Sequence, residues 1–189
     1  MENWFFQHDH KVAPGPTWTP TNFGQEINCF ASPARYLLKK DYLMKTCEDV
    51  MTPKPVCCLP TDNVLFVAEL MKSEDIGAIP VIENMETQKL IGIITDRDLA
   101  LRVVAQGLDT NSTRVESVMT RKVVTCRSDD DLQRAVDAMA EKQLRRIVIV
   151  DNANKVLGVI SQADVATRVN QPVKTAEMVK EISQPTEAK

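Results

Sequence analysis

The sequence predicts an α/β (α+β) fold in which two strand-helix-strand-strand-helix units pack as a pseudo-two-fold pair, preceded by an irregular N-terminal arm. Three observations predict it. The chain repeats itself: Met51-Thr52 recurs as Met119-Thr120 (119−51=68), Met71 as Met139 (139−71=68), Ile79 as Ile147 (147−79=68), and Gly92 as Gly158 (158−92=66). A tandem repeat of this kind fixes an architecture before any single residue is interpreted. Each copy carries an apolar stripe at helical spacing, Val64, Val67, Ala68 and Met71 in the first and Leu132, Ala135, Val136 and Met139 in the second. That i, i+3, i+4, i+7 pattern is one face of a helix. Each copy then has two apolar runs joined by a polar turn, 79–82 with 90–94 and 147–150 with 156–160, which read as paired strands.

The remaining elements follow in order. A Met-Thr turn leads each copy into a short strand, 56–59 and 123–126. Ser128 with Asp131 resembles a capping box before the second stripe. Asn84 and Asp151-Asn152 supply turn chemistry. The repeats differ in length only at that turn, 85–89 against 153–155. A last helix begins near Asp96 or Gln162, and Gly107 is placed to stop the first of these. The divisions are 1–45 for the arm and a short lead-in helix, 46–107 and 114–169 for the two units, and 170–189 for the tail. A unit of about 50 residues buries too little surface alone, so the two are expected to pack face to face.

The arm holds both tryptophans and both histidines, with Pro14, Pro16 and Pro20. It has no period of 2 or 3.6. Trp4, Phe5, Phe6 and Trp18 are too apolar for a solvated tail and are expected to dock on the body or on a second subunit. Ser32-Pro33 opens a short lead-in helix. The tail is mixed in composition and is expected to fray.

A net charge of −3 argues against a broad nucleic-acid surface. No apolar run reaches the roughly 20 residues of a membrane span. The N-terminus has no secretory pattern, so the cytoplasm is the expected location. The five cysteines form no Cys-x-x-Cys pair and read as buried reduced thiols. His8-Asp9-His10 has weak ligand geometry and no third partner, so no metal is expected. The repeats contain no histidine and no nucleophile–base pair, so no enzyme is expected.

With these elements in place, the chain resembles a pair of CBS (cystathionine-β-synthase) motifs, a Bateman module. The residues that carry the resemblance are Val50-Met51-Thr52-Pro53, Ile79-Pro80-Val81-Ile82 and 92–98 in the first copy, and Val118-Met119-Thr120, 146–151 and 158–164 in the second. It covers about residues 46–169. It implies clefts for adenine nucleotides (AMP, ADP or ATP) or for S-adenosylmethionine as a regulatory ligand. It also implies a non-catalytic regulatory role, a disc-shaped homodimer and a protein partner that reads the signal. The ligand motif Gly-hydrophobic-x-Thr/Ser-x-x-Asp is complete in both copies.

Physically, Thr95 and Ser161 close a strand and open a helix, where free N–H groups favour anions. Asp98 and Asp164 stand three residues on; a carboxylate accepts two hydrogen bonds and suits the paired hydroxyls of a ribose. The same residues also spell a capping box, so capping and binding both stand as readings. Arg145 and Arg146 precede the second unit's strand and, by resemblance, place positive charge for a phosphate in the Asp164 cleft; solvation or surface pairing is the other reading. The first copy has Gly77 and Ala78 there, so the Asp98 cleft depends on Arg97, Arg121 or Lys122. By resemblance, Thr52, Val56 and Cys57 serve the Asp164 cleft, and Thr120, Val124 and Thr125 the Asp98 cleft; plain strand packing is the alternative. The competing function is a dimeric interaction scaffold with degenerate clefts, which binds its partner through the aromatic arm.

Overall fold

The computed structural model describes residues 45–168 and 172–183. The arm, the lead-in helix from Ser32 and His8-Asp9-His10 lie outside them. In chain order the elements are α1 (Cys47–Val50), β1 (Thr52–Pro53), α2 (Val64–Ser73), β2 (Ala78–Ile82), β3 (Leu90–Thr95) and α3 (Asp96–Asp98), which continues as a π-helical stretch (Leu99–Val104). Then come α4 (Val115–Val118), β4 (Thr125–Arg127), α5 (Leu132–Glu141), β5 (Arg146–Val150), β6 (Val156–Ser161), α6 (Gln162–Arg168) and α7 (Pro172–Ile182). The predicted α/β architecture is present.

The apolar stripes do what their spacing predicts. Val64, Val67 and Met71 are buried on α2, and Leu132, Ala135, Val136 and Met139 on α5. Asn63 caps α2 by accepting the Phe66 N–H at 2.8 Å, and Asp131 caps α5 by accepting the Gln133 N–H at 2.9 Å. The cap of α5 is therefore Asp131 itself, where the sequence pointed to Ser128. The Ser128 carbonyl is engaged elsewhere, by the Glu48 N–H at 3.0 Å.

Each repeat contributes its opening segment to the other. The short strand β1 of the first repeat pairs with β6 of the second, Thr52 opposite Val159, in a sheet ordered β1-β6-β5-β4. Thr120 of the second repeat bridges Ile93 on β3 of the first. Cys47 N–H donates to the Asp130 carbonyl (2.9 Å), and Val115 N–H to the Asp62 carbonyl (3.0 Å). The cores follow the exchange. Cys47 and Val50 are buried with Leu132, Ile147 and Ile160, while Val115, Val118 and Met119 are buried with Val67, Ile79 and Ile94. A third cluster joins Ile82 and Leu90 to Val148, Val150 and Val156.

The bridges show the pseudo-two-fold. Thr46 pairs with Asp131 and Asn63 with Arg114, which one repeat offset interchanges (114−46=68; 131−63=68). Lys89 pairs with Lys155, its own equivalent (155−89=66), at the point where the two turns meet. Residues in the left-handed region also match, Asp75 with Gln143 and Gln88 with Asn154.

Two features differ from expectation. In place of the expected Met-Thr turn, Thr52 and Pro53 form a strand, while the expected first-copy strand at 56–59 narrows to one parallel bridge, Cys58 to Val81. The tail forms α7, which packs across α5 and α6 and buries Ile182 in the second core. Burial of that residue supplies what composition alone does not. Among the described residues, no helix is long and apolar enough to cross a membrane, and no cluster of potential metal ligands forms.

Candidate functional site

Because the opening segments are exchanged, Thr52 of the first repeat lies beside Ser161 and Asp164 of the second. The Asp164 carboxylate is held at both oxygens. Oδ2 accepts from the Ser161 backbone N–H at 2.8 Å and from the Ser161 hydroxyl at 2.6 Å, and the Asp164 N–H returns a bond to Ser161 Oγ at 3.1 Å. Oδ1 accepts from the Thr52 hydroxyl at 3.4 Å and faces Arg168 Nη2 at 3.2 Å. The Thr52 bond is long, hence the weakest of the set.

The other repeat builds the same unit. Thr95 N–H and hydroxyl donate to Asp98 Oδ2 at 3.0 and 2.8 Å, Asp98 N–H donates to Thr95 Oγ1 at 3.1 Å, and Arg102 stands 3.3 Å from Asp98 Oδ1. The capping reading of the Thr/Ser-x-x-Asp motif is thus realised in both copies. It uses one oxygen of each carboxylate and leaves the other facing an arginine.

Arg102 and Arg168 are the residues the sequence reading missed. Their signal was present: each stands four residues after its aspartate, and they share the repeat offset (168−102=66). Each also ties the aspartate to the opening segment of the other repeat. Arg168 Nη1 donates to the Val50 and Met51 carbonyls at 2.7 and 3.0 Å; Arg102 Nη1 donates to the Val118 carbonyl at 2.5 Å.

The two sites differ in charge. Arg146 is the cross-strand partner of Ser161, as Ala78 is of Thr95, and the positions are equivalent (146−78=68). The half-buried Arg146 extends toward the first repeat: its Nη2 lies 3.3 Å from where a Cβ on Gly77 would stand, and Asp96 Oδ2 lies 2.8 Å from the same point. Gly77 leaves room for the guanidinium. Arg145 is exposed, and its carbonyl accepts the Gln162 N–H at 3.1 Å. The Gln162 Nε2 is a buried donor with no hydrogen-bond partner.

The other predicted residues are placed as follows. Arg97 and Lys122 are exposed, and no ion pair involves either among the described residues. Val56 and Thr125 are half-buried, Thr125 in β4 opposite Val148. Val124 is half-buried and packs against the second core just before β4. Cys57 packs against the shared third cluster, and its thiol faces the Pro55 carbonyl at 3.4 Å. Burial pushes the Cys57 thiol up to about 11 and, with Asp62 nearby, that of Cys58 to about 12. Thr120 exchanges both backbone bonds with Ile93, at 2.9 and 2.8 Å.

Comparison with known proteins agrees with this architecture. The CBS domain matches residues 47–105 and 115–170, and the chain belongs to that family. It is 39% identical over 128 residues to the CBS domain-containing protein YhcV of Bacillus subtilis, spanning 68% of this chain and 86% of that protein. The crystal structure of Hypoxic Response Protein I with two coordinated zinc ions is similar at 26% identity, with a TM-score of 0.59 and coverage of 68% of this chain and all of that one. The CBS domain pair of protein MJ0100, in complex with 5-methylthioadenosine and S-adenosyl-L-methionine, shares the fold at 24% identity and a TM-score of 0.58, over 65% of this chain and 93% of that one.

Proposed function

We propose that this chain is a non-catalytic sensor that binds an adenine nucleotide, AMP, ADP or ATP, at the Asp164 site. The observation that carries the reading is the convergence of Thr52, Ser161 and Asp164 from two repeats, with Arg146 as the cross-strand partner of Ser161. The carboxylate suits a ribose diol, and the guanidinium suits a phosphate. The unpartnered Gln162 amide adds a buried donor next to Ser161. That a related CBS pair is seen with methylthioadenosine and S-adenosylmethionine supports an adenosyl ligand. The Asp98 site has Ala78 where the other has Arg146 and fits a less charged adenosyl compound such as S-adenosylmethionine.

Binding would act through Arg168. A ligand shifts a conformational equilibrium only by its differential affinity for the two states. The bonds from Arg168 to the Val50 and Met51 carbonyls give that difference a route to the opening segment. Isothermal titration with AMP, ADP, ATP and S-adenosylmethionine tests the reading on the parent chain, Asp164→Ala and Asp98→Ala. Nucleotide heat that disappears in Asp164→Ala and persists in Asp98→Ala is the expected result. No heat with any of the four ligands, in folded protein free of co-purified nucleotide, would overturn it.

A further inference from the structure

Cys126 on β4 and Cys58 hold equivalent positions in the two repeats (126−58=68), as do Cys47 and Val115 in the two opening segments (115−47=68). The backbone sets the two places alike. Cys126 lies beside Ile149 and Cys58 beside Val81, both in parallel register. Cys47 N–H donates to the Asp130 carbonyl at 2.9 Å and Glu48 N–H to that of Ser128 at 3.0 Å. Val115 N–H donates to the Asp62 carbonyl at 3.0 Å and Glu116 N–H to that of Pro60 at 3.1 Å. Cys47 and Cys126 are buried in one core, Val115 and Cys58 in the other. One side chain breaks the equivalence: where the first repeat's core receives Val115, the second receives another thiol. The Cys47 thiol donates to the Cys126 sulfur and so holds the Cys126 thiol below its ordinary value; Arg134 adds to this, against burial and Asp130. Cys47, the donor, is raised. Cys58 has a valine in place of that donor and is pushed up to about 12 by burial, with Asp62.

We propose that Cys47 and Cys126 are a modification site for hydroperoxides, which convert them to a reversible disulfide between the opening segment of the first repeat and β4 of the second. The Cys126 thiolate attacks one oxygen of hydrogen peroxide. The O–O bond breaks, the departing hydroxide takes up the Cys126 proton as water, and Cys126 becomes a sulfenic acid. The Cys47 sulfur then attacks the Cys126 sulfur. The S–S bond forms as the S–O bond breaks, and the hydroxide leaves as water with the Cys47 proton. Two thiols and one peroxide give one disulfide and two waters. Thiols already in hydrogen-bond contact need side-chain rotation and little backbone movement to join. The pair also sits where the fold opens at least cost. β4 is a three-residue strand at the edge of its sheet, and α1 has four residues; short elements at an edge open locally and admit a molecule as small as peroxide. The link fixes α1, whose Val50 carbonyl also accepts from Arg168.

The test is millimolar hydrogen peroxide on the full chain, quenched with catalase and read by intact mass and by peptide mapping with cleavage at Glu48, which separates Cys47 from Cys57. A loss of two hydrogens that maps to Cys47 and Cys126 and is restored by dithiothreitol is expected. The bond closes a loop of about 80 residues and should raise the melting temperature by about 5 °C or more. Cys47→Val copies the side chain that the first repeat carries at this place; it should fold and lose both effects. Val115→Cys is the reverse exchange, and peroxide should link it to Cys58, where the parent forms no bond. Oxygen added to Cys126 without a link to Cys47 would overturn the proposal. So would a link from either residue to a different cysteine, or two thiols that stay reduced in the folded chain under conditions that oxidise the urea-unfolded chain in full.

Discussion

Arg168 Nη2 lies 3.2 Å from Asp164 Oδ1 while its Nη1 donates to the Val50 carbonyl at 2.7 Å, so one side chain joins a candidate ligand carboxylate to the opening helix of the other repeat. Arg168 is 43% exposed, which weakens the ion pair through solvent screening. The carbonyl bonds are the more durable part. Arg168→Met should lower unfolding stability by about 1 kcal/mol. Arg102→Met, with one carbonyl bond in place of two, should lower it by less. Urea denaturation gives both values. A cycle with Asp164→Ala should be non-additive by at least about 0.5 kcal/mol, since the two residues share a partner; additivity would show that the pair is not coupled.

Arg146 separates phosphate recognition from ribose recognition. Arg146→Ala should weaken AMP and ADP binding at the Asp164 site by about tenfold, equal to roughly 1.4 kcal/mol. It should leave affinity for uncharged adenosine or methylthioadenosine nearly unchanged. Titration calorimetry at two salt concentrations would resolve the two terms, because the phosphate contribution weakens with screening. Equal loss for charged and uncharged ligands would show that Arg146 acts on the fold of the site.

Much of this arrangement was legible in the sequence. The repeat offsets located the paired strands 79–82 with 90–94 and 147–150 with 156–160, the buried helix faces and both Thr/Ser-x-x-Asp motifs. The exchange of opening segments came only from the family resemblance, which sets Thr52 in the Asp164 cleft and Thr120 in the Asp98 cleft; the residues alone do not give it, because Cys47 and Val50 read as well against their own repeat as against the other. A two-residue strand such as Thr52–Pro53 has no periodicity to detect. Asp75 and Gln143 adopt left-handed backbone without the glycine that marks such turns. Arg102 and Arg168 escaped because an arginine four residues after an aspartate reads as an ordinary helix pair. Only the fold shows that they also reach carbonyls of the other repeat.

Two glycines set the distance at which the opening segments pack. A Cβ on Gly158 would clash with Met51 Sδ and stand 2.7 Å from its Cγ, and one on Gly92 would stand 2.7 Å from Met119 Sδ and 3.1 Å from the Thr120 carbonyl. The two contacts are pseudo-two-fold equivalents. Gly158→Ala and Gly92→Ala should each cost about 1–3 kcal/mol by overpacking. Adding Met51→Ala should recover part of the loss in Gly158→Ala, because the clash is with that side chain alone. In Gly92→Ala the backbone carbonyl of Thr120 also intrudes, so Met119→Ala should recover less. Thermal unfolding of the four variants would rank them, and equal recovery would show that the Thr120 carbonyl yields freely.

Cys57 offers a pH-dependent probe of the region between the repeats. Burial raises its thiol to about 11 from an ordinary value of 9.0. Only the thiolate attacks disulfide reagents. Reaction with a chromogenic aromatic disulfide at pH 8 should therefore be much slower than that of a free thiol, and should accelerate as pH rises toward 11. The linkage to stability has a definite sign. The unfolded thiol ionises first, near 9, while the folded thiol stays neutral. The contribution of Cys57 is thus fully present below pH 9 and declines between 9 and 11. Cys57→Ala should flatten the stability profile in that window, provided the profile is corrected for Cys58, whose thiol is raised further. A rate at pH 8 equal to that of a free thiol would place the Cys57 side chain in open solvent.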